Sequence, residues 1–297
     1  ARRLGEALAQ SGHDIYFVLF GASEERQEKP LPGLTLHYVP LFSDALRLLL
    51  ANAEHVLTFY VPPALRPVYA AFRWRWQRRI RFHFLHTTMP ELGLKRALLF
   101  AEDRLAPYNG RLFCVSPRLV ARAANHRGRS LLLLPPVPDS CFLAPQDKPF
   151  SQRLRVTYMG RLDPAKGARA AVDLFRRLAG RCDRFETCIY GYAWAHDRAT
   201  VALHQELLDQ NDITYVPMDH QAYSPTVDLM NGQILSRTDV LFLPYERLSS
   251  TIDTPLVLLE GMAHLCAVVT RPLGDLPWLY GDTRLMIDDL RQPGRVE

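Results

Sequence analysis

The chain has 297 residues, 48% of them apolar and 23% charged, a balance that excludes a disordered, collagen-like or low-complexity protein and leaves room for two domains at roughly 100–200 residues each. Charge-free stretches such as 15–23 and 261–270 fall far short of the roughly 18 apolar residues that span a bilayer, and no basic-then-apolar leader follows Ala1, so neither a transmembrane segment nor secretion is expected. The net charge of +5 is local: between Glu54 and Glu91 there is no acidic residue, while Arg66, Arg73, Arg75, Arg78, Arg79 and Arg81 all fall there.

In chain order, residues 1–10 read as a helix with Leu4, Ala7 and Leu8 on one face, stopped by Ser11-Gly12, where glycine supplies the left-handed turn after a helix. Residues 15–20 form a continuous β-branched and aromatic run, as in a strand buried on both faces. Strands are expected at 34–39, 56–60, 80–86, 111–115 and 131–134, with helices at 64–77 and 92–105 between them. Pro135, Pro136, Pro138, Pro145 and Pro149 then mark a linker, since neither a helix nor a central strand can continue through them. The rhythm restarts with strands at 155–159, 185–190, 213–216, 240–243 and 267–270, and a strand-like stretch at 284–287. Helices are expected at 168–178, 199–210, 227–235 and 255–264. Alternating strands and helices indicate parallel sheets covered on both faces, giving two doubly wound Rossmann-like α/β domains, 1–140 and 150–297. The first opens on a helix where a strand is usual and the second stops without a closing helix, which reads as a fragment. In paired domains of this class, ligands are expected at the carboxyl ends of the strands, in the cleft between domains. The five cysteines (Cys114, Cys141, Cys182, Cys188, Cys266) are odd in number and irregularly spaced. They match neither a disulfide framework nor a zinc site and suit a reducing cytoplasm.

Two segments could carry chemistry. Gly160-Arg161-Leu162-Asp163-Pro164-Ala165-Lys166-Gly167 lies directly after a buried strand and before a helix. Its glycine lets backbone approach a ligand, and Arg161 and Lys166 beside helix-start amides favour a diphosphate; the alternative is an ordinary βα loop with two solvated cations. In Thr254-Pro255-Leu256-Val257-Leu258-Leu259-Glu260-Gly261-Met262-Ala263, Thr254 suits an N-cap and Pro255 the first helical position, so the amides of Leu256 and Val257 would face an anion. Glu260 sits on an otherwise apolar helix, where a carboxylate is costly unless paired. A ribose diol could supply two hydroxyl donors to it, and a bridging arginine is the alternative.

Taken together, Val156-Thr157-Tyr158-Met159 followed by the Gly160–Gly167 motif, then Asp239-Val240-Leu241-Phe242-Leu243-Pro244 and the Pro255–Ala263 helix, resemble the second domain of GT-B glycosyltransferases. The group is the retaining, nucleotide-sugar-dependent "group 1" (family four) type. Ser11-Gly12-His13-Asp14, the strand ending at Ser116 and the exit through 131–142 resemble its first domain more weakly. The resemblance implies that Arg161 and Lys166 bind the donor diphosphate and that Glu260 holds the ribose hydroxyls. It also implies that Gly160, Thr254, Pro255 and the amides of Leu256 and Val257 meet phosphate or sugar. Gly191 would line the nucleotide cleft, and His86, ending the strand 81–86, would lie over the donor sugar. A satisfied structural histidine is the alternative for His86. His83 invites a metal reading, rejected because no third or fourth ligand lies nearby in sequence. No metal and no cofactor are expected beyond the nucleoside diphosphate sugar as co-substrate.

The sequence departs from the family pattern in two places. Where the family has an acidic residue eight positions before the helix glutamate, this chain has Ile252, with Asp253 one place later; Asp253 is the candidate to orient the donor sugar. The glycine-rich loop after the family's first strand is absent. A further segment, Arg73-Trp74-Arg75-Trp76-Gln77-Arg78-Arg79-Ile80-Arg81, interleaves arginine with tryptophan, a pattern that suits an anionic membrane surface. A basic helix face with inward tryptophans is the alternative, and nothing else points to nucleic acid. The expectation is a cytoplasmic glycosyltransferase of polysaccharide biosynthesis, with a peripheral place on the inner face of the membrane as the variant that the arginine–tryptophan segment suggests. It would move a sugar from a nucleoside diphosphate to a hydroxyl of a glycan, lipopolysaccharide or lipid-linked acceptor, with retention. A catalytically impaired nucleotide-sugar-binding or scaffold protein of the same fold is the rival, and a sugar-nucleotide epimerase a third option.

Overall fold

A computed structural model of the chain describes residues 2–20, 24–40, 52–59, 61, 65–87, 108–123, 130–193, 197–210, 212–218, 232–247, 253–281 and 284–287. The chain divides into two compact units, Ala1–Pro136 and Val137–Glu297. The predicted helix at 92–105, most of the one at 227–235, and Ile252 lie outside the described residues.

In the first unit, helix α1 (Arg2–Gln10) leads into β1 (Ile15–Phe20), which pairs in parallel with β3 (Leu34–Val39). Between them lies a strand absent from the sequence reading, β2 (Arg26–Leu31), antiparallel to β3 across the turn Pro32-Gly33. It is polar and carries Pro30, which an edge strand tolerates and a central strand does not. The Pro-Gly turn, with Gly33 at φ 77°, was the signal available for it. A second sheet of four parallel strands runs in the order β4 (His55–Thr58), β5 (Arg81–His86), β6 (Leu112–Cys114), β7 (Ser130–Leu132). The described strands of this unit thus form two sheets, one of them mixed, where the periodicity alone suggested a single parallel sheet. Helix α2 (Arg66–Trp76) precedes β5. A short helix that the sequence reading missed, α3 (Pro117–Ala123), follows β6 and starts where the Ser116 hydroxyl accepts the Leu119 N–H.

The second unit is built on one five-stranded sheet, β10 (Thr214–Pro217), β9 (Phe185–Tyr192), β8 (Leu154–Arg161), β11 (Val240–Leu243), β12 (Ala267–Thr270) in spatial order, all parallel. Alternation along the central strand β8 sends Val156 and Tyr158 into a core with α4 (Ala168–Ala179) and α5 (Arg198–Asp209), where Phe175, Ile189, Leu203 and Phe242 meet. Met159 points into the opposite core, with Leu235, Leu258, Cys266, Val268 and Leu276. Apolar layers on both faces of a parallel sheet are the doubly wound arrangement. The proline-rich segment is held on this unit: Leu143 N–H donates to the Ala263 carbonyl at 2.9 Å. The Lys148 ammonium donates to the carbonyls of Leu235, Thr238 and His264 at 3.3, 2.5 and 2.7 Å. Burial lowers the Lys148 pKa against the opposing pull of Cys266 and Asp239.

Helix α6 (Leu256–Ala263) closes on Cys266 N–H to Gly261 carbonyl, 2.9 Å, and Leu265 N–H to Met262 carbonyl, 3.0 Å. This is the paired ending that normally places glycine in the left-handed position. Here that position is Leu265, at φ 58°, with 44% of its surface exposed. A left-handed non-glycine residue costs roughly 1–2 kcal/mol, more than the backbone entropy a glycine gives up. Leu265→Gly is therefore expected to stabilise the protein by about 1 kcal/mol, read as a raised urea midpoint with unchanged slope.

Candidate functional site

Every strand of the second unit's sheet is parallel, so the loops leaving β8, β9 and β11 emerge at one end of it. At that end β8 finishes on Gly160 and Arg161, in register with Gly191 and Tyr192 of β9. Gly160 has φ 146°, a backbone angle that a side chain disfavours. The buried Tyr158 hydroxyl donates to the Arg161 carbonyl at 2.7 Å, holding the strand's last turn of backbone. Gly191 is equally constrained by space: a Cβ there would stand 2.6 Å from Leu162 Cδ2. Its carbonyl accepts from Met218 N–H at 2.8 Å and from the Tyr215 hydroxyl at 3.3 Å.

A single 3-10 turn, Pro164–Lys166, carries the lysine. Asp163 organises it from both sides: one carboxylate oxygen accepts the Ala165 N–H at 2.8 Å, and the other accepts from the Arg161 guanidinium. Arg161 and Lys166 thus share one small volume. The Lys166 pKa is pushed down to about 8, first by burial, then by the Arg161 charge, with Asp163 opposing. A lysine destabilised as a cation in this way gains from any anion placed beside it. Gly167 follows at φ 75°, and a Cβ there would lie 1.9 Å from the Pro244 carbonyl oxygen. The Ala165 carbonyl accepts from Glu246 and Arg247 N–H at 2.9 and 3.1 Å. The lysine turn is therefore locked onto the loop that leaves β11. Asp163, Tyr158 and this loop were not singled out by sequence reasoning; the Asp-Pro dipeptide, a capping side chain before a proline, was the signal for the first.

Helix α6 begins at the same end of the sheet, since its chain arrives from the carboxyl end of β11. The cap falls one residue later than expected: Pro255, at φ −64° and ψ 130°, is the N-cap residue and offers no side-chain cap of its own. The proline leads the helix and does not open it, because its extended ψ places it outside the helical turn. Leu256 and Val257 are the first helical residues, with amides that the helix itself cannot satisfy. Glu260 lies in the second turn with 3% of its surface exposed, and Asp253 and Thr254 are buried at 1% and 2%. The structure thus brings Gly160, Arg161, Lys166 and Gly191 together directly, and sets Asp253, Thr254, Pro255, Leu256, Val257 and Glu260 on the segment that enters and forms α6, whose start lies at the same end of the sheet. His86 ends β5 in the other unit; its side chain lies outside the described residues.

The arginine–tryptophan segment needs a correction. Arg73 is not part of a solvated patch: it is buried on α2, with its guanidinium 3.6 Å from the Tyr108 ring centre and 5.2 Å from that of Tyr69. Helical periodicity sets Arg73 on the inner face and Trp74 on the outer, 67% exposed. Arg75, Arg78, Arg79 and Arg81 are exposed beside it, while Trp76 is half-buried. Among the described residues no helix is long and apolar enough to cross a membrane, and none of the His, Cys, Asp and Glu side chains gather in a group of three or more that could hold a metal ion.

No protein-family model matches the sequence, and no curated protein matches it either. Solved structures do. Trehalose 6-phosphate synthase from Burkholderia multivorans aligns over 98% of this chain and 84% of its own, with TM-score 0.64 and 14% identity. WaaG, a glycosyltransferase involved in lipopolysaccharide biosynthesis, aligns over 92% and 76%, with TM-score 0.60 and 12% identity. Anabaena Alr3699/HepE in complex with UDP-glucose aligns over 83% and 70%, with TM-score 0.57 and 14% identity. These likenesses establish the fold: the chain is an α/β protein of the GT-B type.

Proposed function

We propose that the chain acts as a glycosyltransferase, moving a sugar from a nucleoside diphosphate sugar to an acceptor hydroxyl. One observation carries the reading: Arg161 and a half-buried Lys166, fixed by Asp163, stand at the carboxyl end of the central strand, on a glycine turn that lets a ligand approach the backbone. Two cations with adjacent helix-start amides suit a diphosphate leaving group, whose developing charge they would stabilise in the transition state. Glu260, buried in α6, would take the ribose hydroxyls as acceptor-only partner, and Asp253 would orient the sugar.

The finer parts of the reading rest on the resemblance in sequence. Transfer with retention needs no side-chain base when the departing phosphate itself accepts the acceptor's proton, and no metal enters the reading. His86 would lie over the donor sugar. A lipid-linked or lipopolysaccharide acceptor is supported by the exposed Trp74, Arg75, Arg78 and Arg79, which suit an anionic membrane surface and a place on the cytoplasmic face. The experiment is nucleoside diphosphate release from a panel of UDP-, GDP- and ADP-sugars, with glycan and lipid-linked acceptors supplied. Release abolished by Lys166→Ala is the expected result. Binding without release across the panel would favour the scaffold reading, which the substitution of Ile252 for an acidic residue motivates.

A further inference from the structure

A second convergence of basic side chains lies in the first unit, on the four-stranded sheet. The register places His55 opposite Arg81 and Leu57 opposite His83 across β4 and β5. Pairing of Phe84 with Leu112 across β5 and β6 sets His83 beside Arg111. Side chains alternate along a strand, so His55, Arg81 and His83 share a sheet face with Arg111 at its border. The two imidazoles meet, His55 Nδ1 to His83 Nε2 at 3.0 Å. Arg111 N–H donates to His83 Nδ1 at 2.9 Å, so that nitrogen carries no proton, and Nε2 is the one that donates to His55.

The cluster is built on a rigid frame. The His83 ring stacks on Phe113 at 5.9 Å and sits over Gly110, where a Cβ would come within 2.8 Å of Nδ1. Asn109 ties the surrounding backbone, accepting the Phe82 N–H at 2.7 Å and donating to the Gln77 and Ile80 carbonyls at 2.7 and 2.9 Å. The charges that face His83 are His55 from β4, Arg81 from β5 and Arg111 from the start of β6. All three push its pKa down, after burial. Glu54, whose carbonyl accepts the Arg81 N–H at 2.9 Å, borders the cluster just before β4. Among the described residues neither Arg81 nor Arg111 is ion-paired.

We propose that this face, formed by His55, Arg81, His83 and Arg111, binds a phosphate-bearing anion, which enters together with a proton taken up from solvent by the histidine pair. The added proton goes to His55 Nδ1, the acceptor of the His83 Nε2–H bond, so that bond opens and both N–H groups can donate to the anion. Without an anion, the resulting imidazolium joins a group that already holds two guanidiniums. With a phosphate between them the same charges become attractive, so the pair's proton affinity rises and the anion binds more tightly in acid. This proposal does not depend on the transferase reading, because its residues lie in the other unit from Arg161 and Lys166.

The test is an imidazole NMR titration of the full chain in the Lys166→Ala background, with resonances assigned by His55→Gln and His83→Gln. The probes are inorganic phosphate and dihexanoyl phosphatidic acid below its micelle concentration. The expected result is a site-specific shift of both rings, with affinity about tenfold higher at pH 6 than at pH 8, as uptake of one proton allows. Arg111→Gln keeps the backbone N–H to His83 and so leaves the rings in place; it should weaken binding about tenfold, as loss of one charge-assisted partner implies. Preference for the lipid probe by tenfold would assign a headgroup as the source, and equal affinity a simple phosphate; both support the site. Absence of ring shifts with either probe, or the same shifts with sodium chloride at matched ionic strength, would overturn it.

Discussion

Lys166→Ala is expected to lower turnover by about 10²–10³-fold, the range seen when one preorganised donor to a leaving or developing anion is lost, while leaving the fold intact. The substitution removes a cation that burial already disfavours, so the uncomplexed protein should not lose stability. Acidity provides an independent check. With its pKa at about 8, below the ordinary lysine value, Lys166 loses its charge as pH rises through 8, and affinity for UDP or GDP should fall from there upward. Stability moves the other way. Between about 8 and the usual lysine range the unfolded chain holds more protons than the folded one, so the contribution of this group to folding stability rises with pH. Calorimetric binding and urea melts at pH 7, 8 and 9 would show the two opposite slopes, and Lys166→Arg should flatten the binding slope. A pH-independent affinity across that window in the wild type would remove Lys166 from the phosphate site.

Gly167→Ala is expected to be the most damaging single-methyl change in the second unit. The residue is left-handed at φ 75°, which costs a side chain roughly 1–2 kcal/mol. The new Cβ would also fall 1.9 Å from the Pro244 carbonyl oxygen and 2.7 Å from its carbon. These are backbone atoms and cannot swing away. Relief requires the lysine turn and the loop after β11 to part, which sacrifices the two hydrogen bonds on the Ala165 carbonyl. A loss of about 3 kcal/mol follows, roughly 6–12 °C in melting temperature for a unit of this size. Because Lys166 rides on the same turn, nucleotide affinity should fall further than the stability loss explains. A melting point within a degree of wild type would contradict the geometry.

Much of the architecture was legible without coordinates because burial writes itself into a chain as short apolar runs, although the run 15–20, expected to be buried on both faces, leaves Tyr16 of β1 55% exposed. The strands at 15–20, 34–39, 240–243 and 267–270 match their observed bounds, and the Gly160–Gly167 motif marked the site through residue types that only a tight, charged turn requires. Strand β2 escaped since an exposed edge strand needs no apolar pattern, and α3 since seven residues are too few to show a period. Arg73 was misjudged for a related reason. Composition counts an arginine as solvated, whereas the angle of its position on α2 turns it inward onto Tyr108.

The order of most elements, the class of fold and the choice of Arg161 and Lys166 as the candidate pair of cations were therefore determined by sequence alone, through local propensity and the spacing of glycines and charges. Tertiary structure decided the rest: that Asp163 binds both arms of the lysine turn, that the Lys166 pKa lies at about 8, that Gly167 abuts Pro244, and that His55, Arg81, His83 and Arg111 share a corner of one sheet. The last two depend on the distance between segments remote in sequence, and the first two on how one short turn folds back on itself and is buried. Strand register and loop docking set such distances, and no local pattern of residues encodes them.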